Sequence, residues 1–287
     1  ATTSDGMMDI ARHGIFRPQL FTFEELMCIF LAVVASDVIL LDIFNTLGLP
    51  TSTTVSMVFE LMGGSTAIAL VKMFNHPEWT YAELINTDKA FQVILAIFMS
   101  VAIAFVFGMI VQWIARVIFT FHYTKHMKYT IGIFGGISFT AISYFLIVKG
   151  FGKSSFMTAD MKEWIAQNTH LILVGFLVGY TILMQVLHWL KVNVFKIIVL
   201  FGTFSLAMAF AGNDLVNFIG VTLTGLASCQ DFMAHPGADP STYTMGVLNE
   251  PANTPVYFLA GAGLIMTVAL ITSKKAQNVV KTSVDLS

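Results

Sequence analysis

Four stretches of this chain contain no Asp, Glu, Lys or Arg: residues 91–114, 129–148, 169–190 and 251–273. Each matches or exceeds the roughly 20 apolar residues that a helix needs to cross a bilayer. A chain with four such runs must place them in lipid or against one another, which leaves few folds open. Residues 26–47 form a fifth apolar run, carrying Asp37 and Asp42. Two further runs are irregular. Residues 52–74 begin Ser-Thr-Thr and contain Glu60 and Gly63-Gly64; residues 197–228 are interrupted by Gly212-Asn213-Asp214. Membrane β-strands are short and strictly alternating, unlike these continuous runs. The sequence therefore predicts an all-α polytopic membrane protein with about six to seven membrane segments, some of them broken or re-entrant.

Composition removes most other classes. Charged residues make up 11% of the chain and hydrophobic ones 56%, whereas soluble domains average about 25% charged. That excludes disorder, collagen-like repeats and a disulfide-stapled secreted module. The formal net charge of -2 leaves no basic footprint for nucleic acid. Cys28 and Cys229 lie far apart and form no metal motif. His122 and His126 read as part of an aromatic and basic belt at a membrane edge, not as zinc ligands. No nucleophile triad or Gly-rich phosphate loop meets its required context, so the chain is not read as an enzyme and no cofactor is expected. The opening Ala1-Thr2-Thr3-Ser4-Asp5-Gly6 suggests an internal portion of a longer protein. Lys and Arg favour the cytoplasmic side. They divide more unevenly if 52–74 dips into the membrane and returns, which supports a re-entrant reading of that run.

The polar residues inside the apolar runs carry the functional signal, because ionisable groups at membrane depth are costly. Gly48 and Pro50 end the preceding helix, and Ser52, Thr53 and Thr54 begin the next. A helix N-terminus presents free N–H groups and partial positive charge, and three hydroxyls add donors, an arrangement suited to a tetrahedral oxyanion. A simple capped helix start is the alternative. At Ala211-Gly212-Asn213-Asp214-Leu215-Val216-Asn217 a helix break would gather Asp and Asn oxygens with backbone carbonyls, a set suited to Na+ or, on Asp214, a proton. Here the alternative is a structural Asp-Asn cluster. Asp37 and Asp42 fall in no motif and are equally readable as structural carboxylates. Taken together, one segment offers donors to an anion and the other offers acceptors to a cation, which is how secondary transporters build coupled sites.

Both stretches resemble signatures of the inorganic phosphate transporter (PiT) family of sodium- or proton-coupled symporters. The family carries G-A-N-D-V-x-N and G-x-P-x-S-T-T-H motifs, one of each in two inverted repeats. Here Ala211 to Asn217 reads A-G-N-D-L-V-N, and Gly48 to Val55 reads G-L-P-T-S-T-T-V. Met8 to Ile15 is similar to the family's E-T-I-R-K-G-I stretch, with Asp9 in the place of Glu. Val55 replaces the family's His, and Ala211-Gly212 reverses the family's Gly-Ala. Each repeat keeps only one of its two signatures, which suggests part of an inverted-repeat transporter.

The resemblance implies phosphate binding by Ser52, Thr53, Thr54, Asn213 and Asp214, and sodium binding by Asn213, Asp214 and Asn217. It makes Asp9 a transport-critical acid. It places the end of the first repeat and following spans in 1–150, an amphipathic connector and span in 151–193, and the start of the second repeat in 194–287. The implied function is Na+- or H+-coupled phosphate symport by a homodimer in the plasma or inner membrane. The alternatives are a sulfate permease of the same architecture, or a non-transporting membrane subunit or enzyme.

Overall fold

The computed structural model describes residues 10–119, 123–147, 159–250 and 255–285, with side chains described except at 118–119, 123–129, 159, 162, 212–213, 256 and 283. Helices dominate these residues, with two isolated bridges, Phe16 to Ile85 and Thr22 to Thr244, and no strand. The helices in chain order are α1 (Phe23–Leu47), α2 (Thr53–Asn75), α3 (Tyr81–Leu84), α4 (Thr87–Phe119) and α5 (Tyr123–Phe145). They continue with α6 (Ala159–Gln167), α7 (Thr169–Trp189), α8 (Val194–Met233), α9 (Val256–Thr272) and α10 (Lys274–Asp285). Each of the seven apolar runs is helical over most of its described residues. Among the described residues, five helices (α1, α2, α4, α7 and α8) are long and apolar enough to cross a membrane, or six if the bent pair α9–α10 is one span. The architecture is the all-α polytopic one that the sequence predicts.

Three details differ from the expectations. Residues 52–74 are no hairpin: α2 runs unbroken from Thr53 to Asn75, about 34 Å at 1.5 Å per residue. Its Gly64 does not break the helix and faces α1, where an added Cβ would meet Ile29 Cγ2 in ordinary contact at 3.5 Å. The break expected at Gly212-Asn213-Asp214 is also absent, and α8 is continuous through it. Asp214 and Asn217 find partners on α2, as described below, so they do not compete for their own helix's backbone. The broken pair lies elsewhere. Tyr257–Thr272 and Lys274–Thr282 meet at 73°, where Ser273 ends one helix and its Oγ accepts from Ala276 N at 3.3 Å at the start of the next.

The described chain divides into two compact units, 3–97 with 212–287, and 98–211. In the first, α1 starts with a capping box: Thr22 Oγ1 accepts from Glu25 N, and Glu25 Oε2 accepts from Thr22 N. It ends at Gly48, whose φ of 69° is the left-handed conformation that glycine adopts without a Cβ penalty. Lys72 of α2 donates to Glu25 at 2.8 Å and to Leu20 O at 2.7 Å, with Phe21 beneath it. The segment before α1 is further anchored by the buried Arg12, which donates to Val247 O at 3.2 Å, and by backbone bonds from Phe23 N to Tyr243 O and Met245 N to Phe21 O. Loop 234–250 thus packs on this segment. Between α2 and α4, Thr80's hydroxyl and amide donate to Glu83 and hold its carboxyl below the usual range.

In the second unit α5 packs along α7 through Gly132, Gly135 and Gly136. An added Cβ at Gly135 would sit 2.7 Å from Met184 Cγ, and one at Gly136 2.9 Å from the Thr181 backbone. Small residues at this spacing are the usual means of close helix approach in membranes. Phe139 stacks on Phe201, and Ser143 donates to Tyr180 at 3.0 Å.

Candidate functional site

The two polar motifs, some 160 residues apart, meet inside the first unit. Pro50 and the capped start of α2 fix the position of its first turn, where Ser52 is the N-cap residue and its Oγ accepts from Val55 N at 3.4 Å. Asp214 and Asn217 are three residues apart on α8 and so share one helix face. That face meets the α2 start. Thr53 donates to Asp214 Oδ1 at 2.8 Å, and Asn217 Nδ2 donates to Thr53 Oγ1 at 2.9 Å and to Thr54 Oγ1 at 2.8 Å. Asn217 is buried, while Ser52 is exposed and Thr53, Thr54 and Asp214 are half-buried.

Of the residues singled out from sequence, the structure brings Thr53, Thr54, Asp214 and Asn217 into direct contact. Ser52 stands beside them as a cap, and its hydroxyl oxygen is engaged by the helix itself. The side chain of Asn213 and the whole of Asp9 lie outside the described residues.

One further polar group was not readable from motifs. Ser56, one turn beyond Ser52, lies between two carboxylates, 3.1 Å from Asp37 Oδ1 and 2.8 Å from Glu60 Oε1. The i, i+4 spacing of Ser56 and Glu60 was a signal that they share a face of α2. That Asp37 of α1 faces them could come only from tertiary packing. Asp42, in contrast, points away from this cluster and pairs with Lys275 of α10 at 2.6 Å. Asp37, Glu60 and Asn217 line a common cavity of about 150 Å³. Among the described residues no group of three or more His, Cys, Asp or Glu side chains could hold a metal.

Chemically the site is a graded set. Hydroxyls and the α2 N-terminus offer hydrogen-bond donors on one side, and carboxylate and amide oxygens offer acceptors on the other. Long apolar helices with such a cluster among them define a multi-pass membrane protein with a polar interior site. Residues 1–282 match the family model described as "Phosphate transporter family", and the chain belongs to that family of phosphate transporters. Among curated proteins and solved structures, none matches the chain.

Proposed function

We propose that this chain carries out, as part of its transporter, cation-coupled symport of inorganic phosphate, with Na+ or H+ as the coupling ion. The observation that carries this reading is the hydrogen-bonded junction of Thr53 and Thr54 with Asp214 and Asn217. Phosphate would bind Ser52, Thr53, Thr54, Asn213 and Asp214, drawing on the hydroxyls and the positive end of α2. Sodium would bind Asn213, Asp214 and Asn217. Taking a multivalent oxyanion out of water is costly without compensating charge, so an adjacent bound cation favours anion binding and couples the two. Phosphate, unlike sulfate, still carries protons near neutral pH and can donate to Asp214, an acceptor. Asp9 belongs to the same reading as a transport-critical acid. So do a homodimer, a plasma or inner membrane location, and an inverted-repeat plan with the first repeat ending in 1–150, a connector in 151–193 and the second repeat starting at 194.

Uptake of labelled phosphate by the full-length protein in vesicles tests this. Accumulation that follows an imposed Na+ or pH gradient, and is lost in Asp214→Asn and Thr53→Val, is the expected result. Equal accumulation in wild type and both variants overturns the site assignment. Sulfate carried in place of phosphate overturns the substrate.

A further inference from the structure

We propose that the α5–α7 pair binds one anionic phospholipid per chain, with an acyl chain in the groove between the two helices and the phosphate on Lys191 and Lys196. All of these residues belong to the second compact unit, and the site does not depend on the transport reading.

Helix α7 has 21 residues, about 32 Å at 1.5 Å per residue, which matches the roughly 30 Å apolar thickness of a bilayer. Its two ends therefore lie at the two membrane faces. Helix α5 runs antiparallel to it, because Gly136 lies beside Thr181 and Gly132 beside Gln185. Toward the C-terminal end of α7 the pair leaves a groove of about 300 Å³, lined by Ile133, Ile182, Val186 and Trp189 together with Gly132 and Gln185. Ile133, Ile182 and Trp189 are each more than half exposed. At membrane depth a lipid chain is what meets such an apolar surface. Trp189 is the last residue of α7, at the headgroup level where tryptophan is favoured.

Charge is segregated along the same helix. Between Asp88 and Asp160, and again between Glu163 and Asp214, the chain has no Asp or Glu. Asp160 and Glu163 sit on α6, which adjoins the N-terminal end of α7. The C-terminal end carries His188, Lys191 and Lys196, and α5 starts at that end with Lys125 and Lys128 in its first two turns. Lys191 and Lys196 are exposed, and among the described residues neither side chain has a hydrogen-bonding or ion-pair partner. Local rules favour neither lysine. Lys191 has a φ of 62°, a conformation that glycine adopts more cheaply. Lys196, whose N–H donates to Asn193 Oδ1 at 3.1 Å, lies in the first turn of α8, where the helix dipole repels a cation. A phosphate held by both lysines offsets that repulsion. Two exposed lysines alone hold a free anion weakly. A chain seated in the groove keeps the phosphate at their level and raises its effective concentration there, and basic clusters beside membrane helices bind anionic headgroups in this way.

Native mass spectrometry of the purified full-length protein, titrated with phosphatidylglycerol or phosphatidylcholine, tests this. One phosphatidylglycerol per chain is expected, bound more tightly than phosphatidylcholine. Lys191→Gln with Lys196→Gln should weaken phosphatidylglycerol about thirtyfold and leave phosphatidylcholine unchanged. Val186→Trp fills the groove and should weaken both lipids. Glycerol phosphate, a headgroup without chains, should not displace phosphatidylglycerol even in large excess. Unchanged phosphatidylglycerol binding in the double lysine variant overturns the proposal. So does an equal loss in Lys274→Gln with Lys281→Gln on α10, which marks general attraction to positive charge. Displacement by glycerol phosphate overturns the lipid and leaves a free-anion site. Should Val186→Trp fail to fold, Lys191→Gly decides. Its backbone suits glycine, so without lipid it should unfold at the wild-type temperature or above, while binding phosphatidylglycerol severalfold more weakly. Full-strength binding in that variant overturns the site.

Discussion

The two compact units both contain long apolar helices but differ in the contacts that join them. In the first, distant segments are tied by directed polar bonds: Lys72 to Glu25, Arg12 to Val247 O, Thr53 to Asp214, and Asn217 to Thr54. In the second, three glycines of α5 lie against Thr181, Met184 and Gln185 of α7, beside one polar bond from Ser143 to Tyr180. Lipid tails are as apolar as the helices, so hydrophobicity alone brings no helices together. What remains is close packing or polar bonding. Polar bonds also leave chemically active groups at fixed positions, which is why the candidate site belongs to the first unit.

Breaking the polar side of this comparison should have the largest effect. Asn217→Leu removes both donors to the threonines. Two polar contacts at about 1.5 kcal/mol each predict a loss of phosphate uptake on the order of a hundredfold. Initial uptake rates in vesicles measure this, and a loss of only a few fold would show that the junction is scaffolding. Next comes the Lys72–Glu25 pair, whose side chains are 12% and 25% exposed. Lys72→Met strands a partly buried carboxylate and should destabilise the fold by roughly 3 kcal/mol. Adding Glu25→Leu should recover part of that. A double variant no better than the single one would mean that Leu20 O, and not Glu25, is the partner that matters.

The packing side is tested by one substitution made at two glycines. Gly136→Ala forces a methyl onto the Thr181 backbone and should cost about 1–3 kcal/mol. Gly63→Ala on α2 meets nothing within 4 Å and should be neutral or stabilising by up to about 1 kcal/mol through helix propensity. Thermal unfolding of each variant in detergent gives the answer. Similar destabilisation at both positions would erase the contrast between the units.

Much of this was legible in the chain. The seven apolar runs became helices over most of their described residues because length with little charge leaves little choice. Gly48 and Pro50 ended α1, and Ser52 capped α2, since these are local rules. The junction of Thr53 and Thr54 with Asp214 and Asn217 was anticipated only as two motifs of complementary chemistry. The expected turn-back within 52–74 and the expected break at Gly212-Asn213-Asp214 failed for one reason: tertiary partners (α1 along α2, joined by Asp37 and Ser56, and Thr53 for Asp214) make the continuous helix the better solution. The actual bend at Ser273 has no glycine or proline to announce it. The pairing of Asp37 with Glu60 through Ser56 was invisible for the same physical reason: it depends on which faces of α1 and α2 meet.

The smallest expected effect lies at the edge of the first unit, where Lys275 of α10 pairs with Asp42 of α1. The side chains are 50% and 60% exposed. Geometry is good, with contacts of 2.6 and 2.8 Å, but water and salt screen such a pair and ordering two flexible side chains offsets the attraction. Lys275→Ala should therefore cost no more than about 1 kcal/mol, and the difference from wild type should shrink further between low and high salt. The outcome sharpens the comparison in a specific way. If the cost were as large as that of Lys72→Met, and insensitive to salt, the bend between α9 and α10 would be held by this ion pair. A small, salt-sensitive cost leaves that role to the packing of Thr282 beside Gly48, where an added Cβ would come within 2.9 Å of the threonine hydroxyl.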